Sequence, residues 1–196
     1  MKKILFVNAC VRPESRTNQL ARCILEKLGE EIEEVRLSDE HIPPLDWKTL
    51  QARDAELRSG DGSGPLLRCA RQFAAADDIM IAAPYWDLLF PAILRAYLEA
   101  VTVTGVTFRY TQEGAVVGLC QAKRLFYVTT AGGTIGNHNY GFEYVKALAQ
   151  NLYGIQDVPC FTAEGLDIVG ADTSAIMQTA MREAELRVES MAFPGK

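Results

Sequence analysis

The sequence is poor in the residues that announce metal or disulfide chemistry. Two histidines and five cysteines occur in 196 residues, with no Cys-x-x-Cys pair and no His-bearing ligand cluster, so no metal site is expected. Cys10, Cys23, Cys69, Cys120 and Cys160 are odd in number and far apart, which argues against a disulfide framework. Runs of about 18 apolar residues are missing, so no membrane span is expected. Met1-Lys-Lys passes directly into an apolar run without a cleavage signal, and the expectation is a cytoplasmic protein. Basic excess is also lacking. With 20 Lys and Arg against 25 Asp and Glu, the net charge of −5 disfavours a nucleic-acid or anionic-membrane partner. Any anionic ligand must therefore be held by local geometry.

What is present is a core. Hydrophobic residues make up 48% of the chain and charged ones 23%, the proportions of one globular domain, expected here over residues 1–196. Short apolar, β-branched runs at Lys3–Asn8, Glu31–Leu37, Asp78–Ala83, Leu125–Thr130 and Ile155–Phe161 read as strands. Helical patterns separate them. Asn18–Leu28 has apolar residues at helical spacing and stops at Gly29, and Phe90–Val101, Tyr140–Leu152 and Ala171–Ser190 read as helices. Between the second and third strands come a turn through Pro43-Pro44, a polar helix and a loop over residues 59–65, while Val106–Tyr110 and Ala115–Leu119 form a hairpin inserted before the fourth strand. Five strands alternating with helices imply a three-layer α/β/α sandwich around a parallel sheet, with ligands outside the carboxyl ends of the strands.

Three loops at those ends carry the chemistry. After the first strand, Cys10-Val-Arg-Pro-Glu-Ser-Arg-Thr17 meets a helix start, whose unpaired N–H groups and partial positive charge suit a phosphate. Ser15 and Thr17 add hydroxyls there, and Arg12 or Arg16 a guanidinium fork. A plain structural N-cap explains the same hydroxyls. After the third strand, Pro84-Tyr85-Trp86-Asp87-Leu88 sets two aromatics in a Pro-flanked loop that can lie along a flat heterocycle. After the fourth, Thr130-Ala131-Gly132-Gly133 offers paired glycines for close backbone approach and positive φ.

The first loop also fits Cys-x5-Arg-Thr, the loop of low-molecular-weight tyrosine phosphatases, with Cys10 as thiolate nucleophile and Arg16 as clamp. Pro13 removes an N–H from that cradle, Glu14 adds a negative charge, and no Asp-Pro pair supplies the general acid. Cys10 as a small hydrophobe ending a strand is the alternative.

Taken together the three loops resemble those of the FMN-dependent NAD(P)H:quinone reductases and azoreductases, which have a flavodoxin-like fold. Ser15-Arg-Thr-Asn-Gln-Leu20 is similar to that family's phosphate loop, Pro84–Leu88 to its Pro-Met-Tyr-Asn-Phe loop and Thr130–Gly133 to its Ser-Arg-Gly-Gly loop. The similarity continues through Tyr144, Leu148, Tyr153-Gly-Ile155 and Ala163-Glu-Gly-Leu166. It implies strand order 2-1-3-4-5, a homodimer with active sites at the interface, bound FMN, NADH or NADPH as donor, and ping-pong hydride transfer to quinones or azo compounds. His138 and Tyr140 follow the Gly-Gly loop much as a Tyr and a His do in quinone reductases, which implies a proton-donating role. Trp47 lies on the loop that in the family approaches the partner's site. Asp87 replaces a family Asn and Ala131 a family Arg, and a carboxylate at position 87 would oppose an anionic reduced flavin. A flavodoxin-like electron carrier without its own NAD(P)H activity is a third reading; such carriers tend to be strongly acidic and lack arginine in the loop.

Overall fold

The computed structural model describes residues 2–59 and 64–192. In chain order its elements are β1 (Lys3–Asn8), α1 (Arg16–Leu28), β2 (Glu31–Arg36), α2 (Trp47–Ser59), α3 (Arg68–Ala75), β3 (Asp78–Ala82), α4 (Ala92–Val101), β4 (Phe108–Tyr110), β5 (Val116–Gly118), β6 (Leu125–Thr130), α5 (Tyr140–Leu148), β7 (Cys160–Ala163) and α6 (Thr173–Ala192). The strands β2-β1-β3-β6-β7, in that order, form one parallel sheet, and β4 with β5 makes a separate antiparallel hairpin. Counting parallel strands alone, the order is the expected 2-1-3-4-5, with the hairpin before the fourth.

Strand alternation builds two cores from one sheet. Ile4 and Phe6 face the layer of α1 and α6, packing with Leu20, Ile24, Met80, Phe126 and Val188, whereas Leu5 and Val7 face Phe73, Ile79, Tyr97 and Tyr127 on the other side. The central strands are buried on both faces, which is why they read as continuous apolar runs. At the edge, β2 carries Glu31, Glu33, Glu34 and Arg36, charges that discourage pairing with another chain. In the last helix one stripe packs on the sheet: Ala184 and Val188 are buried, and Ile176 and Ala180 lie against the same cluster.

Three elements differ from the sequence reading. The last strand starts at Cys160 rather than Ile155. Asp157 and Pro159 already accept hydrogen bonds from Leu125 and Tyr127 at 3.0 and 2.9 Å, yet Pro159 has no N–H to return, so the regular ladder begins only after it. Helix α3 was not expected; eight residues bury Cys69, Ala70 and Phe73, a stripe too short to stand out beside the Pro65 turn. The helix expected over Tyr140–Leu152 changes to π geometry at Ala149–Tyr153. Against that turn packs the hairpin, at Gly118, where a Cβ would lie 2.2 Å from the Tyr153 carbonyl carbon. Residues 60–63 of the loop expected over 59–65 lie outside the described residues. No helix among the described residues is long and apolar enough to cross a membrane.

One buried ion pair fixes the far end of the sheet. Asp78, fully buried at the start of β3, accepts from the Arg124 backbone N–H at 3.1 Å and from its guanidinium Nε at 3.2 Å. Replacing Asp78 with alanine leaves the guanidinium without its main partner, and urea unfolding should show a loss of about 3–5 kcal/mol.

Candidate functional site

Parallel strands deliver their loops to one edge, and short backbone bonds keep those loops together there. Ala9 N–H donates to Ala82 at 2.9 Å, Tyr85 N–H to Thr130 at 3.0 Å and Ala131 N–H to Ala163 at 2.9 Å. Between the first and third loops, the hydroxyls of Thr17 and Thr130 share a buried hydrogen bond of 2.6 Å. The result is a cleft enclosing about 150 Å3. Ser15, Arg16 and Thr17 form its anion end together with Arg12; Pro84, Tyr85 and Trp86 form a second wall, and Thr130, Ala131 and Gly132 its floor. Ten of the residues named from sequence line it, and Val11 and Asp167 join them.

The anion end is both a cap and an opening. Ser15 is the N-cap of α1, with Oγ accepting from Asn18 N–H at 3.3 Å, so the structural reading of this serine holds. The cap satisfies one donor of the first turn and leaves others for a ligand. Beneath the loop, Asn8 Oδ1 accepts from Cys10 N–H at 3.0 Å, and Asn8 Nδ2 donates to Glu34 at 2.9 Å and Asn18 at 3.3 Å. Burial raises the Glu34 pKa, but donors from Asn8 and Arg22 outweigh it and hold the carboxyl below its ordinary range. An ionised Glu34 thus holds the loop from below. Arg16 reaches across to the segment after β7: its guanidinium donates to the Leu166 carbonyl at 3.1 Å and to Asp167 Oδ1 at 2.8 Å.

Cys10, expected to line the phosphate loop, lies in the core instead. It is 7% exposed, packs in the core among Ile4, Phe6 and Met80, and stays off the cleft wall. Burial pushes its thiol up to about 11, whereas a nucleophilic cysteine needs a lowered pKa. The phosphatase reading fails on that residue.

Asp87 and Leu88 form the tip of the second loop. Both have positive φ, 51° and 67°, in a two-residue turn closed by Trp86 and Leu89 through bonds of 3.3 and 2.8 Å. Such a turn favours Asn-Gly, and a leucine in left-handed backbone costs about 1–2 kcal/mol. Among the described residues, neither tip N–H has a backbone acceptor. Strain of this kind gathers where a loop is shaped for a ligand.

The paired glycines act differently from expectation, since neither Gly132 nor Gly133 has positive φ. At Gly132 the Asp167 carboxylate occupies the space above the backbone, where a Cβ would lie 2.3 Å from Oδ2, so a larger residue there would push that side chain aside. Gly133 is exposed and open above the backbone. His138 and Tyr140 stand off the cleft, exposed, with Nδ1 and OH 3.2 Å apart. They are tied to the second loop because Tyr85 OH donates to the His138 carbonyl at 3.1 Å. Trp47, 71% exposed, opens α2.

A family model described as flavodoxin-like fold matches residues 2–188. The chain belongs to the flavodoxin-like family. Its relatives include the FMN-dependent NADH:quinone oxidoreductase 2 of Clostridium acetobutylicum, 36% identical over 198 residues, with 94% of this chain and 97% of the relative covered. The FMN-dependent NADH:quinone oxidoreductase of Clostridium beijerinckii is 34% identical over 194 residues, with coverage of 94% and 97%. Among solved structures, an FMN-dependent NADH-azoreductase from Bacillus anthracis in complex with FMN superposes with a TM-score of 0.81 at 25% identity, covering 98% of this chain and 100% of that one.

Two outcomes test this geometry. Cys10, buried and protonated at neutral pH, should resist alkylation by iodoacetamide in the folded protein and react once it is unfolded in urea. At the strained tip, Leu88→Gly should stay within about 1 kcal/mol of wild-type stability, while β-branched Leu88→Val should lose about 1–2 kcal/mol in the same titration.

Proposed function

We propose that this chain is an FMN-dependent NADH:quinone oxidoreductase that passes a hydride from NADH through FMN to a quinone or azo acceptor by a ping-pong mechanism. The observation that carries the reading is the convergence of an anion-binding helix start, an aromatic wall and a glycine floor in one cleft. FMN has a phosphate at one end and a flat ring at the other, and the residues present fit that order. When bound, FMN supplies the hydride chemistry.

The protein's part is to bind and orient. The first-turn N–H groups of α1 and the Ser15 hydroxyl would hold the phosphate, with Arg12 and Arg16 adding charge. Pro84, Tyr85 and Trp86 would hold the ring, with the Asp87 and Leu88 amides free to donate to its polar atoms. Gly132 and Gly133 let the third loop approach closely. Asp87 sets a carboxylate beside that edge and so disfavours negative charge there. His138 and Tyr140, hydrogen-bonded to each other and tied through the Tyr85 hydroxyl to the second loop, would be the proton donors toward an acceptor brought to that side of the cleft.

We read the working unit as a cytoplasmic homodimer. All five cysteines are free thiols, as suits a reducing compartment. Next to the cleft, exposed Trp86, Asp87 and Leu89 continue into Phe90, Pro91, Arg95 and Tyr144, an open apolar face that a second copy would cover to complete the ring site.

Mixing NADH with the FMN-loaded protein under anaerobic conditions should bleach the flavin band, and an added quinone should restore it. Bleaching only by a partner protein would indicate an electron carrier instead. Arg16→Ala should weaken FMN binding by about 1–3 kcal/mol, the range of a charged hydrogen bond.

A further inference from the structure

Asp167 entered the cleft from a segment to which the sequence assigned no role. Three consecutive amides staple that segment to the floor: Gly165 donates to Gly133 at 2.9 Å, Leu166 to Ala131 at 3.2 Å and Asp167 to Gly132 at 2.9 Å. The Asp167 backbone is therefore fixed relative to the site. Its carboxylate spans two features of the cleft, with Oδ2 over Gly132, in space that a Cβ would otherwise fill, and Oδ1 on the Arg16 guanidinium at 2.8 Å. A carboxylate inside an anion cleft has thus taken up the guanidinium that a phosphate would use.

This pair is built to be exchanged. The side chains of Arg16 and Asp167 are 30% and 65% exposed, and an ion pair so open to water is weak. A terminal phosphate monoester carries up to two charges and three acceptor oxygens, so it competes well for a guanidinium. A neutral hydroxyl does not. We propose that Asp167 is an internal competitor that sets the affinity of the cleft for phosphate: it occupies Arg16 until a phosphate monoester displaces it, so that FMN must break the pair to reach Arg16 while a flavin lacking the phosphate leaves the pair in place. This rests on the FMN reading above.

Quenching of flavin fluorescence tests the idea with FMN and riboflavin titrated separately. Asp167→Asn, nearly isosteric at an exposed position, should tighten FMN roughly two- to fivefold, the range of one exposed ion pair. Riboflavin affinity should stay unchanged, and the gain should vanish when Arg16→Ala is added. Weaker FMN binding in Asp167→Asn would make Asp167 an orienting partner of Arg16 and overturn the proposal. Equal shifts for FMN and riboflavin, or no shift in either, would overturn it too while leaving the FMN reading intact. A wild-type protein that binds neither flavin would overturn both.

Discussion

The buried hydrogen bond between Thr17 and Thr130, 2.6 Å long, sets the geometry on which the site depends. Thr17 lies in the first turn of α1 and Thr130 ends β6, and in the sheet β3 lies between β1, the strand before α1, and β6. The bond therefore fixes the distance from the anion end to the floor, across the strand that delivers the aromatic wall. Both side chains are almost wholly buried, so each hydroxyl would be left without a partner if the other were lost, and such groups are costly to bury alone. The parallel sheet brings the loops to one edge; this contact holds them at one spacing.

Charge in the cleft is arranged more closely than the net value of −5 suggests. Arg12 and Arg16 face it, Asp167 counters Arg16, and ionised Glu34 lies underneath on Asn8 and Arg22. Overall acidity keeps the protein away from polyanions, while the helix start and two guanidiniums make one small region attractive to a single phosphate. Backbone strain is placed the same way, since the two non-glycine residues with positive φ among the described residues, Asp87 and Leu88, form the tip beside the aromatic wall.

Much of this was legible because central parallel strands bury both faces. The runs at Lys3–Asn8 and Leu125–Thr130 match β1 and β6 end to end, and the loops that follow them are where such folds bind ligands. The fifth strand was misplaced because Ile155 looks like a strand residue, whereas Pro159 decides where regular pairing starts. Helix α3 was missed because eight residues give little periodicity. At the site, hydroxyls and aromatics next to strand ends could be read directly, but Cys10 needed burial to show that it is core. Positive φ was expected at Gly132 and Gly133 and fell instead on a leucine, which no composition rule would select. Asp167 had no signal at all: its place at the cleft comes from the amide bonds of Gly165, Leu166 and Asp167 to a loop more than 30 residues earlier in the chain.

The central claim is that three separate loops make one FMN site, and amide hydrogen exchange with and without FMN tests it most directly. The expected result is added protection confined to three segments, the start of α1 near residues 15–18, the tip at 85–88 and the floor at 131–133, appearing together at the same FMN concentration. Protection at one loop alone, or at the opposite end of the sheet near Asp78 and Arg124, would contradict it.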